Sequence, residues 1–259
     1  MTHNKLKKER ILEILQKKYN KTPQEKQHPW KQGVQLGFDF FTEEKPIKIW
    51  KNDFITSKCN LKPWNFINNY CPKNGNLPKI FAVIGKKMSG KTHLAQIWKE
   101  KFSGQFLEIS NLKRANLLEI VTEKQFYIIE NVDSLNLEEE RILLQIFNLC
   151  LQKSAHLLLT SAKSLEEISL STKDLSSRLR NVFHVDIMPI TPDFSEMLLV
   201  KIFAEKQLRV SAQTTKFLAK NIITRYQDLF AAAKLLEFNS LEKRRAITIG
   251  LVKEIQHLL

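Results

Sequence analysis

The sequence predicts an α/β fold, a P-loop domain on a parallel, doubly wound sheet followed by a small helical domain. Three observations predict it. A short apolar run, Ile80-Phe81-Ala82-Val83-Ile84, ends at Gly85-Lys86-Lys87-Met88-Ser89-Gly90-Lys91-Thr92. That octapeptide fits G-x-x-x-x-G-K-[ST] at every fixed position and opens a helical stretch, the context a P-loop requires. Four further apolar runs follow, separated mostly by helical patterns, which is the order of a parallel sheet. After Pro192 the strand signal stops and only helical segments remain.

The elements can be justified in order. Residues 2–19 carry Leu6, Ile11, Leu12, Ile14 and Leu15 among Lys and Glu, a ragged helical stripe. Thr22-Pro23 and His28-Pro29 break it, and 24–33 reads as a linker. A short extended segment, Val34 to Phe41, comes next. A helix is expected over 53–69, opened by Thr56 or Ser57, with Trp64 and Ile67 on one face. The P-loop strand leads into a helix over 92–101. Strands are then expected over 106–109, 126–129, 155–160 and 183–187. Between the third and fourth lies a long amphipathic helix over 137–152, with Asn136 as cap and Glu138 to Glu140 in its first turn. Helices over 194–207, 212–221, 226–239 and 249–258 complete the chain.

Bulk properties narrow the classes. The 259 residues suffice for one large domain or two small ones. No run approaches the roughly 18 apolar residues needed to span a bilayer, and residues 1–10 lack a secretory core. Cys59, Cys71 and Cys150 have neither disulfide-frame nor zinc-site spacing, so reduced thiols in a cytoplasmic protein are expected. The formal charge of +14 favours acidic partners, nucleic acid or an acidic protein groove. Residues 1–31 hold nine Lys/Arg against three Glu, about +6 of that total. A merely Lys-rich, solvated composition explains the same numbers.

The P-loop carries the clearest chemistry. Its backbone N–H groups and the following helix N-terminus surround a phosphate. Lys91 adds a point charge, and the Thr92 hydroxyl is suited to ligate Mg²⁺. Gly85, Ser89, Gly90, Lys91, Thr92 and the adjoining His93 are therefore candidate nucleotide-binding residues. The strand 126–129 ends in Glu130 where such proteins usually place Asp. Glu130 can still reach the magnesium shell with one more methylene, or it is only a surface helix-cap acid. Asn131 after it cannot act as a general base. Gln35-Leu36-Gly37-Phe38-Asp39-Phe40 sets Leu36, Phe38 and Phe40 on one side of an extended segment. It is either a first strand packed on the core or a linear motif whose anchors fill a partner's pocket.

Taken together, Gly85 to Leu94, the Ser177-Arg178-Leu179 box and the closing Ile247-Thr248-Ile249 to Val252-Lys253-Glu254-Ile255 resemble the DnaA-related AAA+ proteins, within them the Hda-like regulatory homologues of DnaA. The resemblance covers about residues 34–259. It implies a basic N-terminal extension and linker over 1–33, a clamp-binding motif over 34–41, an AAA+ α/β nucleotide-binding domain over 42–192 and a helical lid domain over 193–259. Gln35, Leu36, Phe38 and Phe40 match the family's clamp-binding pattern, Q-L-x-[LF]-x-[LF]. Arg178 by itself would be read as a surface salt-bridge residue. Its place before the fifth strand matches the family's arginine finger, inserted in trans at a partner's nucleotide. The implied partners are the DNA polymerase III beta sliding clamp and DnaA, with DNA reached through the clamp and no membrane. The implied activity is clamp-dependent promotion of hydrolysis of DnaA-bound ATP, a negative control of replication initiation in the cytoplasm at the nucleoid. An adaptor or loader that binds clamp or DnaA without activating hydrolysis is the alternative.

The chain departs from the family at several positions. Glu130 replaces the strand-end Asp, Ala162 replaces the acid after the fourth strand, and the lid's sensor Arg falls on Gln227, with Arg225 two residues away. Thr160 or Ser161 remain as candidates to sense a γ-phosphate. Lost charged contacts weaken transition-state stabilisation, so at most a weak intrinsic ATPase is expected, with ADP or ATP and Mg²⁺ as cofactors. A homo-oligomer is left open. DnaA carries a C-terminal helix-turn-helix domain for which this sequence has no room, so direct reading of an origin is not expected.

Overall fold

The computed structural model describes residues 54–73, 77–113, 116–123, 125–223 and 225–256. The extension over 1–33 and the segment 34–41 lie outside the described residues. Among the described residues no helix is long and apolar enough to cross a membrane. The chain divides into two compact units, 54–198 with 223–229, and 199–222 with 230–256.

Strand β1, Ile80–Ile84, is buried at all five positions. Five consecutive apolar side chains can be satisfied only where both faces of a strand are covered. β1 accordingly lies inside a five-stranded parallel sheet with β2 (Gln105–Phe106), β3 (Phe126–Ile129), β4 (His156–Ser161) and β5 (Phe183–Asp186), in the order β2-β3-β4-β1-β5. The register pairs Ile80 with Leu157 and Ile84 with Ser161 on one side, and Phe81 with Phe183 on the other.

The two faces of the sheet differ chemically. One is aliphatic. Ile80, Ala82, Ile84, Ile129, Leu157 and Leu159 meet helices α3 (Leu117–Glu123), α4 (Leu137–Gln152) and α5 (Lys173–Arg180). The other is aromatic. Phe81, Phe126 and His156 of the strands meet Phe66 and Tyr70 around helix α1 (Leu61–Asn69), and Trp98 and Phe102 of helix α2 (Lys91–Phe102). Helix α4 starts where sequence reasoning places it. Asn136 accepts the N–H groups of Glu138 and Glu139, while Glu139 reaches back to the N–H of Asn136.

Three sequence expectations need correction. Helix α1 begins at Leu61 with Asn60 at its cap, not at Thr56 or Ser57. A start at Ser57 would bury the imino nitrogen of Pro63 inside the helix. From Leu61 the proline falls in the first turn, where no N–H is needed. The strand expected over 106–109 is only Gln105–Phe106. Its apolar Leu107 and Ile109 are both buried, but Ile109 enters the core from a 3₁₀ turn over Ile109–Asn111. Helices α3 and α5 were not expected, being only seven and eight residues long, too short to show a helical period.

The second unit is helical. It includes a helix over Ala212–Asn221, capped by the Ser211 side chain on the N–H of Thr214, and a helix over Ile249–Ile255, capped by Thr248 on the N–H of Leu251. Leu218, Ala219, Leu236, Val252 and Ile255 are buried. Lys206 pairs with Glu237 at 2.5 Å, and Lys243 and Arg245 both engage Glu254.

His156 titrates against the aromatic face. Tyr70 donates its one hydroxyl proton to Pro78 O at 2.8 Å, so His156 Nδ1–H donates to the Tyr70 oxygen, also at 2.8 Å. Phe126 stacks on the imidazole at 4.8 Å. Burial, and secondarily the charge of Lys79, hold the imidazole below its ordinary range. The unfolded chain thus takes up this proton first, and stability is retained above about pH 6.5 and falls as pH drops below it. Urea unfolding at pH 5 and pH 7.5 should show this loss, and His156→Gln should flatten the slope.

Candidate functional site

The site is built at the carboxyl end of β1. Gly85 N–H donates to Ser161 O at 3.0 Å, which ties the start of the loop to β4. The loop then turns over residues 86–90 into α2. Gly90 sits at φ +101°, a left-handed conformation that favours glycine. Gly85 is required for a different reason. A Cβ there would lie 2.6 Å from Ser89 Oγ and 3.0 Å from Ile187 Cβ.

The lysine is buried. Lys91 Nζ donates to Gly85 O at 2.8 Å and Lys86 O at 3.2 Å, inside the curl of the loop. Burial pushes its ammonium below the ordinary range, against the opposing charges of Asp133 and Glu130. The buried Ser89 Oγ has no hydrogen-bond partner among the described residues. A buried cation and an orphaned hydroxyl in one glycine-bounded loop fit a phosphate group.

Thr92 and Glu130 are brought together from α2 and the end of β3. Thr92 Oγ1 donates to Glu130 Oε1 at 2.6 Å. The extra methylene of Glu130 thus does not prevent contact with the P-loop hydroxyl, and this oxygen pair fits Mg²⁺. Asn131 follows at φ +57°, with its N–H on Thr160 Oγ1 at 3.1 Å. The Ser161 hydroxyl donates to Lys163 O at 2.6 Å. Both hydroxyls singled out for γ-phosphate sensing are fully buried and engaged elsewhere. Asp133, whose part was not foreseen, accepts the N–H of Ala162 at 2.8 Å and adds its charge beside Lys91. An acid three residues past Glu130 is the only signal that could have found it.

An aromatic wall flanks the loop. Phe54 stacks on Trp64 at 5.1 Å and meets His93 edge-on at 5.1 Å. Its ring would lie 3.5 Å from a Cβ at Gly90. Gln227 is exposed, while Arg225 forks onto Asp228 at 2.7 and 3.2 Å.

Arg178 is not part of this cluster. It lies in the last turn of α5, its Nε on Asp174 Oδ1 at 3.1 Å and its guanidinium over the Phe147 ring at 5.9 Å. With Lys79, Ile80, Ser177 and Val182 it lines a cleft at the amino ends of β1 and β5. The P-loop leaves the opposite end of β1. At roughly 3.3 Å per residue the five-residue strand puts roughly 15 Å between the two. Gln35, Leu36, Phe38 and Phe40 lie outside the described residues.

No protein-family model matches the chain. An uncharacterised protein of Haemophilus influenzae is 27% identical over 188 residues, 69% of this chain and 81% of that protein. Among solved structures, a DNA replication initiation factor superposes with a TM-score of 0.64 at 16% identity, over 75% of this chain and 66% of that one. AMPPCP-bound DnaA from Aquifex aeolicus gives 0.63 at 16%, over 77% and 68%. Domain III of the Thermotoga maritima replication initiation protein DnaA gives 0.67 at 15%, over 80% and 94%. These likenesses show the fold. This is the AAA+ α/β fold, of the kind seen in DnaA.

Gly85→Ala should test the packing of the loop. Because Ser89 is itself buried, the added methyl must shift the loop, and a loss of about 1–3 kcal/mol is expected. Urea denaturation against the parent protein measures it.

Proposed function

We propose that this chain is a nucleotide-binding, sliding-clamp-dependent regulator that promotes hydrolysis of ATP held by DnaA, and so limits replication initiation. The observation that carries the reading is the position of Arg178, at the end of β1 opposite its own P-loop. A cation so placed cannot reach a phosphate in its own loop, yet Phe147 supports it at a half-exposed site. Its planar, permanently charged fork suits the charge that develops on a γ-phosphate brought by a partner. The AAA+ fold shared with DnaA supports a partner of the same build.

The chain's own P-loop then serves binding. Lys91 and the N–H groups of Gly85 to Gly90 would hold the phosphates of ADP or ATP, and Thr92 with Glu130 would hold Mg²⁺. Intrinsic turnover is at most weak, because Asn131 cannot take a proton and the Thr160 and Ser161 hydroxyls are engaged. Gln35, Leu36, Phe38 and Phe40 would dock the DNA polymerase III beta sliding clamp, which brings the protein to DNA. The Asp174–Arg178 pair favours a second reading, an adaptor in which Arg178 is an ordinary surface ion pair.

Arg178→Ala separates the two. With clamp loaded on DNA, it should lower stimulated hydrolysis of DnaA-bound ATP by about 10³-fold or more if Arg178 acts as the finger, with clamp binding retained. Undiminished hydrolysis leaves the adaptor. Replacing Gln35 and Phe40 together with Ala should abolish pull-down by the clamp while leaving nucleotide binding intact, and unchanged pull-down rejects the motif.

A further inference from the structure

Helix α4 carries one acid that its sequence disguises. Glu138, Glu139 and Glu140 all fall in the first turn, where acids ordinarily face solvent. Glu138 does so, Glu139 is half-buried and turns back to the Asn136 N–H, and Glu140 is only 3% exposed. Its Oε1 accepts the N–H of Ser171 at 3.1 Å and its Oε2 accepts the N–H of Thr172 at 2.8 Å. Thr172 is the N-cap residue of α5, and its own side chain makes no capping bond. The carboxylate of Glu140 therefore does the work of a cap from another helix, with charge-assisted bonds to backbone donors at the positive end of α5.

Seven residues on, two turns along the same face of α4, stands Phe147. It lies beneath the guanidinium of Arg178, at the other end of α5. Between these two contacts, Leu175 and Leu179 of α5 are fully buried in the core that α4 helps to form. One face of α4 thus grips α5 at its first residues through a carboxylate and at its last turn through a ring. Asp174, one turn before Arg178, takes the remaining side of the guanidinium. A eight-residue helix is too short to hold its own geometry in water, so its direction is set by these outside contacts.

We infer that Glu140 is a positioning residue for Arg178, acting through the start of α5 rather than by touching a nucleotide. The inference rests on the trans role of Arg178 given above. Glutamine at 140 keeps the size but has one acceptor for two donors, and it turns an N–H₂ toward a backbone N–H. The start of α5 is then released, and the guanidinium at its far end no longer holds one direction. Small misplacements of a group that must meet a reacting phosphate are costly in rate.

The test uses the full-length protein with clamp loaded on DNA and DnaA-bound ATP. Glu140→Gln should lower the maximal stimulated hydrolysis rate at saturating protein by about 10-fold or more, with nucleotide binding at its own P-loop unchanged. The double variant with Arg178→Ala should be no slower than Arg178→Ala alone, since both act through one group. Hydrogen exchange should rise at the amides of Ser171, Thr172 and the first turn of α5, and stay as in the parent across β1 and β4. If Glu140→Gln destabilises the whole domain, Phe147→Leu loosens the other end of α5 while keeping an apolar side chain, and should again lower the maximal rate. Full stimulation by Glu140→Gln, or a double variant slower than Arg178→Ala by the whole single effect, overturns the inference. If Arg178→Ala alone has no effect, the proposed function fails instead, and the exchange result still reports whether Glu140 holds α5.

Discussion

Everything functional in the first unit hangs on the burial of β1. All five of its apolar residues pair with β4 on one side, Phe81 to Ile84 pair with β5 on the other, and all five are buried. That enclosure makes both ends of the strand firm anchor points. At one end the chain must leave through Gly85, pinned to Ser161 O, which sets the P-loop against the start of α2. At the other end lie Lys79, Val182 and the close of α5. A parallel sheet with crossover helices places these ends on opposite sides of the domain. The separation of the phosphate loop from Arg178 is therefore a property of the topology and not of any local loop.

The two faces of the sheet divide the labour. The aromatic face presses α1 and α2 against the strands, and the same two helices carry Trp64 and His93, which with Phe54 form the wall beside the loop. The aliphatic face carries α4, which serves as a base for α5. The P-loop thus depends on one packing layer and the guanidinium on the other. Beside the loop, Glu130 at the end of β3 accepts from Thr92 of α2, and Asp133 just beyond it accepts the N–H of Ala162 after β4.

What the sequence made legible was local. The P-loop, β1, β3, and α4 with its Asn136 cap are written in consecutive residues, and the parallel P-loop α/β fold follows from their order. Helix α5 was missed because Leu175 and Leu179 are its only core residues, too few to show a period. Glu140 looked like the third of three solvated acids, since nothing in the chain says that Ser171 and Thr172, thirty residues away, will need acceptors. The same holds for Thr160 and Ser161. Their hydroxyls read as free for a ligand until the neighbouring loops claim them. Arg178 was singled out only through a family likeness, and its support by Phe147 is a contact across two helices that no spacing rule encodes.

If Arg178 acts in trans as proposed, its placement also has a consequence for assembly. A partner of the same fold whose bound nucleotide meets this guanidinium offers the far end of its own β1, while this chain offers the near end of its sheet. The two surfaces are different, so the contact is heterologous and no two-fold axis can relate the pair. This chain's own P-loop is left facing away from the junction. A pair joined in that manner has a direction, with one member giving the arginine and the other receiving it, and the roles cannot be exchanged without taking the complex apart.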